Sequence, residues 1–515
     1  MTPAHPRRSR RGRPAAALLT LLALAAALPA AAAPAPPGPA AGRAPAWTSC
    51  VRGPDDDAGK RLEATGARCA EVTVPLDHTR PDGPALTLAV ARIPATDRAH
   101  RIGTLVVNEG GPADPVVDYL PDRRAALGTV GARYDVVGID PRFAGRNAPL
   151  DCGWPTGTYM RSAGTTRADF DRMAAFQRDL AARCHQGPTA ALLPHASTRN
   201  AARDMDLVRA ALGERRISYL GVSYGTYLGE VYAALFPGRL DRVVLDGVHE
   251  PHHLAPWPEY GTERVNEEAL DDWARWTAAH HARYGLGRTP RQVRATVDAV
   301  VTAAAREPLA VGPYRIDRHV MPVLLYAVLG EDTAEADGQI ADMMRTLKQA
   351  AESGPVEPDP GLAELLPALL TGRDSAYAGS QTAYLCADAP GPRDLQTHWR
   401  AVERSRARHP LFGPFVNDTT PCVFWTPPRE PPADAPGDLP ALLVNATGDP
   451  RVPYAEARAL HARWPSSRLV TVAHSYRHAV YGLTYANACV NDTVNAYFAD
   501  GRLPAGDLTC TAARP

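Results

Sequence analysis

The sequence has no excess of charge of either sign, because 56 basic residues balance 56 acidic residues in a chain of 515. Proteins that bind nucleic acid through its phosphates need a basic surface, so this balance argues against a nucleic-acid partner. Lysine is nearly absent: Lys60 and Lys348 are the two in the chain, and arginine supplies the other positive charges. The hydrophobic content of 45% is typical of a globular protein.

Metal-binding patterns and long apolar runs are also missing. The eight cysteines form no Cys-x-x-Cys pair and no Cys/His cluster, which argues against zinc sites. We therefore expect no metal and no other cofactor. Beyond the N-terminal region no apolar stretch approaches the 18 residues of a membrane-spanning helix, and no internal repeat is visible.

The N-terminus has the organisation of a signal peptide. Five arginines between residues 7 and 13 precede the apolar run from Ala15 to Leu28, and small residues from Ala30 to Ala33 offer cleavage sites. We predict a signal peptide at 1–33, a Pro/Ala-rich spacer at 34–46 and a secreted, soluble mature protein that is a monomer. A retained signal anchor is the alternative.

The cysteine count is even, which fits an oxidising compartment. Pairing the cysteines in sequential order would close loops of 19, 32, 36 and 21 residues. Each bridge would stabilise the fold by roughly 3–4 kcal/mol. We expect four local disulfides formed by Cys50, Cys69, Cys152, Cys184, Cys386, Cys422, Cys489 and Cys510.

Short apolar, β-branched runs alternate with helical stretches, which predicts an α/β fold with a doubly wound, mostly parallel sheet. The predicted strands are Leu86 to Ile93, Thr104 to Val107, Tyr134 to Ile139, Ile217 to Val222, Arg242 to Leu245, Ala441 to Asn445 and Arg468 to Val472.

The alternation stops in the middle of the chain, where the pattern is helical. We interpret 251–383 as a mainly helical cap inserted between two parts of the sheet domain, 47–250 and 384–515.

The segment Gly221-Val222-Ser223-Tyr224-Gly225 matches G-x-S-x-G. It lies between a predicted strand and the predicted helix Tyr224 to Leu235, which is the setting of a nucleophile elbow. The two glycines allow the sharp turn, and the new helix brings a positive dipole and the free N–H of Tyr224 beside the serine. Ser223 is therefore the predicted nucleophile.

A serine hydroxyl needs a base, and that base needs an orienting acid, which follow the serine in the chain order Ser, acid, His. Asp449 comes just after a late strand and is the favoured acid, with Asp246 as the second candidate. His478 and His474 both follow the last predicted strand. His478 is favoured as the base because it lies farther into the loop and can reach back over the sheet edge.

The oxyanion hole needs a second backbone donor beside Tyr224. Gly110 and Gly111 directly follow an early strand, and glycine lets the backbone come close to a reacting carbonyl.

The stretches "NEGGPADP", "SYLGVSYGTYLGEVYAALFPGRLDRVVLDGVHEP" and "GDPRVPYAEARALHARWP" resemble the secreted tripeptidyl aminopeptidases. That group has the α/β-hydrolase fold and is related to prolyl aminopeptidases. The resemblance spans roughly Trp47 to Cys510 and is weakest in the cap. It implies a triad of Ser223, Asp449 and His478, and an exopeptidase that removes short peptides, chiefly tripeptides, or single residues from free N-termini through an acyl-enzyme.

Three positions of the oxyanion loop and the base loop depart from the group's pattern. Glu109 replaces a proline, Ala113 replaces a glycine, and Arg477 precedes the base where glycine is usual. These changes leave the triad intact and bear on substrate preference.

An exopeptidase must hold the substrate's α-ammonium with carboxylates. Glu259 and Glu263 at the cap entrance are candidates, and Asp388 matches the group's Cys-x-Asp pattern. Glu109 is a further candidate, which should either bind a cation or face away from the oxyanion hole.

The same machinery also serves a secreted carboxylesterase or lipase, the main alternative function. A catalytically silent binding protein is a more remote alternative, because the order of serine, acid and histidine is intact.

Overall fold

The computed structural model describes residues 44–482 and 487–512. The predicted signal peptide and most of the predicted spacer lie outside the described residues. Among the described residues no helix combines the length and the apolar character needed to cross a membrane.

Eleven strands are present among the described residues. They are β1 (Arg68–Pro75), β2 (Ala85–Ile93), β3 (Gly103–Asn108), β4 (Tyr134–Ile139), β5 (Ile217–Val222), β6 (Leu240–Asp246), β7 (Leu309–Val311), β8 (Tyr314–Ile316), β9 (Leu442–Ala446), β10 (Arg468–Ala473) and β11 (Leu508–Thr511).

Nine of these strands form one sheet in the order β1-β2-β4-β3-β5-β6-β9-β10-β11. The pairs β1–β2 and β2–β4 are antiparallel, and the other pairs are parallel. The fold is the predicted α/β-hydrolase type with a mostly parallel sheet. Every residue of β5 and β9 is buried, which explains why these strands are nearly continuous apolar runs.

The described part of the chain also contains sixteen α-helices, which surround the sheet or form the inserted region. They are α1 (Asp57–Ala64), α2 (Leu120–Ala126), α3 (Arg167–Gln186), α4 (Thr198–Ala211), α5 (Tyr224–Leu235), α6 (Glu263–Ala279), α7 (His281–Tyr284), α8 (Pro290–Arg306), α9 (Met321–Val328), α10 (Ala334–Ser353), α11 (Pro360–Leu370), α12 (Ser375–Asp388), α13 (Leu395–Arg406), α14 (Gly413–Val416), α15 (Tyr454–Arg463) and α16 (Ala488–Asp500).

Neighbouring side chains of the strands enter two separate cores. In β5, Tyr219 packs into the core shared with α3, α4, α5 and α12, whereas Leu220 packs into the core shared with α2 and α16. This alternation covers both faces of the sheet with helices, as expected for a doubly wound fold.

The segment between β6 and β9 is mainly helical and also contains the β7–β8 hairpin. Trp273, Val297 and Met344 belong to a third core that this segment builds for itself. The cap boundary predicted at residue 383 falls inside α12. Tyr384 and Leu385 of α12 pack into the core of the sheet domain, and so does Ala378, one turn or more before the predicted boundary.

The described cysteines form four disulfides in sequential order: Cys50–Cys69, Cys152–Cys184, Cys386–Cys422 and Cys489–Cys510. No described cysteine is free.

Candidate active site

Ser223 lies in a sharp turn between the end of β5 and the start of α5. Its φ and ψ of 55° and −127° are an unusual conformation for a residue with a side chain. A Cβ on Gly221 would lie 2.3 Å from the carbonyl oxygen of Gly225, and one on Gly225 would lie 2.7 Å from that of Asn108. The turn therefore requires glycine on both sides of the serine, and it leaves Ser223 half-buried.

The structure brings His478 and Asp449 together. The Nδ1 of His478 lies 2.9 Å from Oδ2 of Asp449 and 3.1 Å from Oδ1. Asp449 is fully buried, and its Oδ1 also accepts hydrogen bonds from the backbone N–H groups of Arg451 and Val452. The carboxylate is thus fixed against the imidazole, as an orienting acid requires.

The imidazole of His478 lies on the same side of the sheet as the elbow. A Cβ built on Gly247 would be 3.0 Å from Cε1 of His478 and 3.7 Å from the backbone nitrogen of Ser223. Ser223 and His478 form no direct hydrogen bond in this structure, which is common before substrate binds. Glycine at 247 leaves the space that the ring occupies.

The two alternative residues have other surroundings. His474 is exposed, just after the end of β10. Asp246 is buried, and burial raises the pKa of its carboxyl. It accepts hydrogen bonds from the N–H groups of Val480 and Tyr481, so it anchors the loop that carries His478 without touching the imidazole.

The predicted oxyanion donors separate into two kinds. The N–H of Gly110 donates to Oδ1 of Asn108 over 3.2 Å, so it is already occupied. The N–H of Gly111 has no acceptor among the described residues, and the N–H of Tyr224 is the first of α5, ahead of the helical hydrogen bonds. Gly110 instead provides room, because a Cβ there would lie 3.1 Å from Cβ of Ser223.

Of the candidate carboxylates, Glu109 and Asp388 are already engaged. Glu109 accepts hydrogen bonds from the Arg123 guanidinium, from Nε to Oε1 over 2.8 Å and from a terminal nitrogen to Oε2 over 2.5 Å, and therefore faces a cation of the protein itself. Asp388 is buried, accepts a hydrogen bond from the N–H of Thr198 over 2.8 Å and contacts the hydroxyl of that residue. Burial raises the pKa of Asp388 to about 7.

Glu259 and Glu263 differ in burial. Glu263 accepts a hydrogen bond from the Ser405 hydroxyl over 3.0 Å and is half-buried. Glu259 is buried, and its Oε1 accepts a hydrogen bond from the Tyr159 hydroxyl over 2.9 Å. Burial raises the pKa of Glu259, and the positive charge of Arg451 opposes part of this rise. Arg451 lies two residues after Asp449, so Glu259 interacts electrostatically with the loop that carries Asp449.

Two family models match the chain. Residues 103–304 match the alpha/beta hydrolase fold, and residues 409–510 match a TAP-like protein model. A tripeptidyl aminopeptidase of Streptomyces lividans is 34% identical over 467 residues, covering 86% of this chain and 83% of the relative. The chain belongs to the tripeptidyl aminopeptidase family.

Other relatives carry different names. Serine protease Hip1 of Mycobacterium tuberculosis is 29% identical over 477 residues, covering 86% of this chain and 87% of the relative. Carboxylesterase B of the same species is 32% identical over 485 residues, covering 90% of this chain and 89% of the relative. The chain is an enzyme of the α/β-hydrolase fold, and the resemblance to tripeptidyl aminopeptidases is confirmed.

In this member of the tripeptidyl aminopeptidase family, the loop with Gly110 and Gly111 also contains Asp114, which no sequence motif singles out. Asp114 accepts a hydrogen bond from the Tyr377 hydroxyl over 2.7 Å, and Gln381 donates to the carbonyl of Gly111 over 3.2 Å. Asp114 is visible in "NEGGPADP", but its partner Tyr377 lies on α12, more than 260 residues later. A pattern in one stretch of sequence gives no sign of that contact.

Proposed function

We propose that the protein is a secreted serine exopeptidase that releases short peptides, with tripeptides as the principal products, from free N-termini through an acyl-enzyme. The observation that carries this proposal is the Asp449–His478 pair, 2.9 Å apart, beside the elbow of Ser223. The name of the Streptomyces lividans relative supports tripeptides as the product. The basic and apolar N-terminal sequence and the four disulfides support secretion.

The chemistry is acyl transfer. His478 takes the proton of Ser223 as its Oγ attacks the scissile carbonyl, and Asp449 stabilises the imidazolium that forms. The N–H groups of Gly111 and Tyr224 donate to the developing oxyanion. The departing amine receives the proton from His478, and water, activated by the same imidazole, then releases the peptide from Ser223.

Recognition of a free N-terminus is assigned to Glu259. Its buried carboxylate has no ion-pair partner within 4.0 Å among the described residues, and a buried carboxylate without a cation is costly. Asp418, also buried, lines the same small cavity. Arg161 lines this cavity too, but its guanidinium donates to the carbonyl of Met160 and the hydroxyl of Thr156. A substrate ammonium would supply the cation that Glu259 lacks, with Asp418 nearby in the same cavity.

Variants of the triad test the mechanism. Ser223→Ala and His478→Ala should each lower kcat/KM on a free-amine tripeptidyl anilide by about 10⁶-fold, and Asp449→Asn by about 10⁴-fold. The matched control is His474→Ala, which changes the second candidate for the base. A larger loss in His474→Ala than in His478→Ala would reassign the base.

The amine site has a test of its own. Glu259→Gln should lower kcat/KM on free-amine anilides by about 10- to 100-fold, since it removes a charge-assisted hydrogen bond, and should spare turnover of a small neutral ester. Glu263→Gln is the matched control. Equal losses on both kinds of substrate would count against an amine-binding role.

The second candidate function is that of a carboxylesterase, favoured by the 32% identity to carboxylesterase B. Esters with short and long acyl chains separate the two functions. Turnover of esters without any turnover of free-amine anilides would establish the esterase.

A further inference from the structure

Asp114 lies at the edge of the candidate active site, on the loop that carries the oxyanion donor. A Cβ built on Gly111 would be 3.1 Å from Cγ of Asp114, and the N–H of Asp114 donates to the carbonyl of Gly110. Gly110 in turn lies against Ser223. The carboxylate is therefore close to the place where the scissile carbonyl must bind.

Two side chains of α12 fix this part of the loop. The Tyr377 hydroxyl donates to Oδ1 of Asp114 over 2.7 Å. The Nε2 of Gln381 lies 3.1 Å from that hydroxyl and 3.2 Å from the carbonyl of Gly111. The carboxylate is thus oriented by neutral groups, and its Oδ2 accepts no hydrogen bond from the described residues.

Charge distinguishes Asp114 from its neighbour Glu109. Glu109 is neutralised by Arg123, whereas no basic side chain of the described residues lies within 4.0 Å of the Asp114 carboxylate. Burial raises the pKa of Asp114 to about 6, so the group is mostly ionised at pH 7. The half-buried Asp114 carboxylate lies next to Tyr377, which is 38% exposed, so a cationic group of a ligand can reach it and form a charge-assisted hydrogen bond.

We propose that Asp114, oriented by Tyr377, binds a positively charged group of the substrate next to the scissile bond. This inference rests on the proposed peptidase function and adds a substrate class to it. The cation is an ammonium or guanidinium, which either a lysine or arginine side chain or the N-terminal amine of a single leading residue can supply. A charge-assisted hydrogen bond to Asp114 favours such substrates.

The test compares substrates that differ in one charge. Tripeptidyl anilides that end in lysine or in norleucine before the scissile bond are assayed with the unmodified protein, Asp114→Asn and Tyr377→Phe. We expect a lysine preference of at least about tenfold in kcat/KM, falling to about 1 in Asp114→Asn and to an intermediate value in Tyr377→Phe. The matched control is Asp122→Asn, which changes an exposed aspartate of the same segment and should keep the preference.

A second substrate identifies the source of the cation. If Asp114→Asn lowers turnover of a single-residue leucine anilide and the lysine preference is absent, the bound group is the N-terminal amine. If Asp114→Asn changes neither the lysine-to-norleucine ratio nor the leucine anilide, the proposal is wrong although the peptidase function stands.

A pair of p-nitrophenyl esters, 6-aminohexanoate and heptanoate, separates this proposal from the peptidase function. If no free-amine anilide is cleaved, the peptidase function fails, and the ester pair then tests Asp114 alone. A preference for the cationic ester that Asp114→Asn abolishes would support the subsite, and equal ratios in both proteins would overturn it.

Discussion

At the scale of single residues, the candidate site depends on positions where a side chain cannot fit. Gly110 has a φ of +115°, and a Cβ there would lie 2.7 Å from the carbonyl oxygen of Val222. Backbone oxygens at that distance cannot move without moving the elbow. Gly110 therefore determines how closely the oxyanion loop approaches Ser223.

We predict that Gly110→Ala lowers kcat by at least about 100-fold, because the loop must withdraw and the Gly111 donor moves with it. Gly213→Ala is the matched control: its φ is +76°, but nothing lies within 4 Å of the added Cβ. Gly213→Ala carries backbone strain of about 1–2 kcal/mol, and Gly110→Ala adds to such strain the clash with Val222, so kcat is compared at a temperature where both variants are folded. Equal activity of the two variants would contradict the role of Gly110.

Asp388 makes stability depend on pH in a defined direction. The folded-state pKa of about 7 lies above the ordinary value of 3.8, so between these values the folded protein binds more protons than the unfolded chain. Stability from this group is therefore greatest at low pH and is lost as pH rises from about 4 to about 7.

Asp388→Asn should remove this pH dependence. The free energy of unfolding of the variant should therefore rise, relative to that of the unmodified protein, by up to about 4 kcal/mol between pH 4 and pH 8. Urea unfolding at several pH values measures the difference. The matched control is Asp82→Asn, which changes an exposed aspartate and should give a flat difference. A flat difference for Asp388→Asn as well would show that its pKa is not raised.

Sequence patterns select candidate residues for the chemistry, but they do not predict which partners those residues meet. Ser223, Asp449 and His478 stand out because each follows a strand. The choice between Gly110 and Gly111 could not be made, because it depends on where the side chain of Asn108 points. Similarly, no periodic pattern in the sequence reveals the ion pair between Glu109 and Arg123.

At the scale of elements, the buried parallel strands could be predicted from the sequence, and the two strands at the edges of the sheet, β1 and β11, could not. The seven predicted strands match β2 to β6, β9 and β10, and each predicted end lies within two residues of the observed end. β1 was missed because Glu71 and Thr73, on the exposed side of this edge strand, interrupt its apolar run. β11 has four residues, three of them exposed, and thus almost no hydrophobic signal.

Both ends of helix α12 contact residues near the candidate site. Tyr377 and Gln381 near its start contact the oxyanion loop. Asp388 at its end contacts Thr198, whose hydroxyl lies 2.7 Å from that of Tyr224. The Cys386–Cys422 disulfide fixes the same end of the helix.

Replacing Cys386 and Cys422 by serine should lower the free energy of unfolding by about 4 kcal/mol, since the bridge closes a loop of 36 residues. Urea unfolding measures the loss, and kcat should fall with it because the end of α12 is released. The comparison variant replaces Cys489 and Cys510, which join α16 to the edge strand β11, and should lose stability while keeping kcat. Loss of kcat in this second variant, with none in the first, would contradict the role given to α12.

At the scale of the whole molecule, the inserted helical region contacts the two proposed catalytic loops, which carry Asp449 and His478. The N–H of His478 donates to the carbonyl of Gly330 over 2.8 Å, and the guanidinium of Arg451 lies 3.8 Å from the centre of the Tyr326 ring. The cap therefore adjoins the catalytic loops directly. The buried carboxylate of Glu259 belongs to this region, on the side where the substrate's N-terminus is proposed to bind.

The most direct test of the central claim is the ratio of kcat/KM for a tripeptidyl anilide with a free N-terminus to that for its N-acetylated form. The proposed exopeptidase has a carboxylate site that only a cationic N-terminus satisfies. We predict a ratio above about 100, with turnover of the free-amine substrate abolished in Ser223→Ala. A ratio near 1, with both reactions dependent on Ser223, would contradict an exopeptidase.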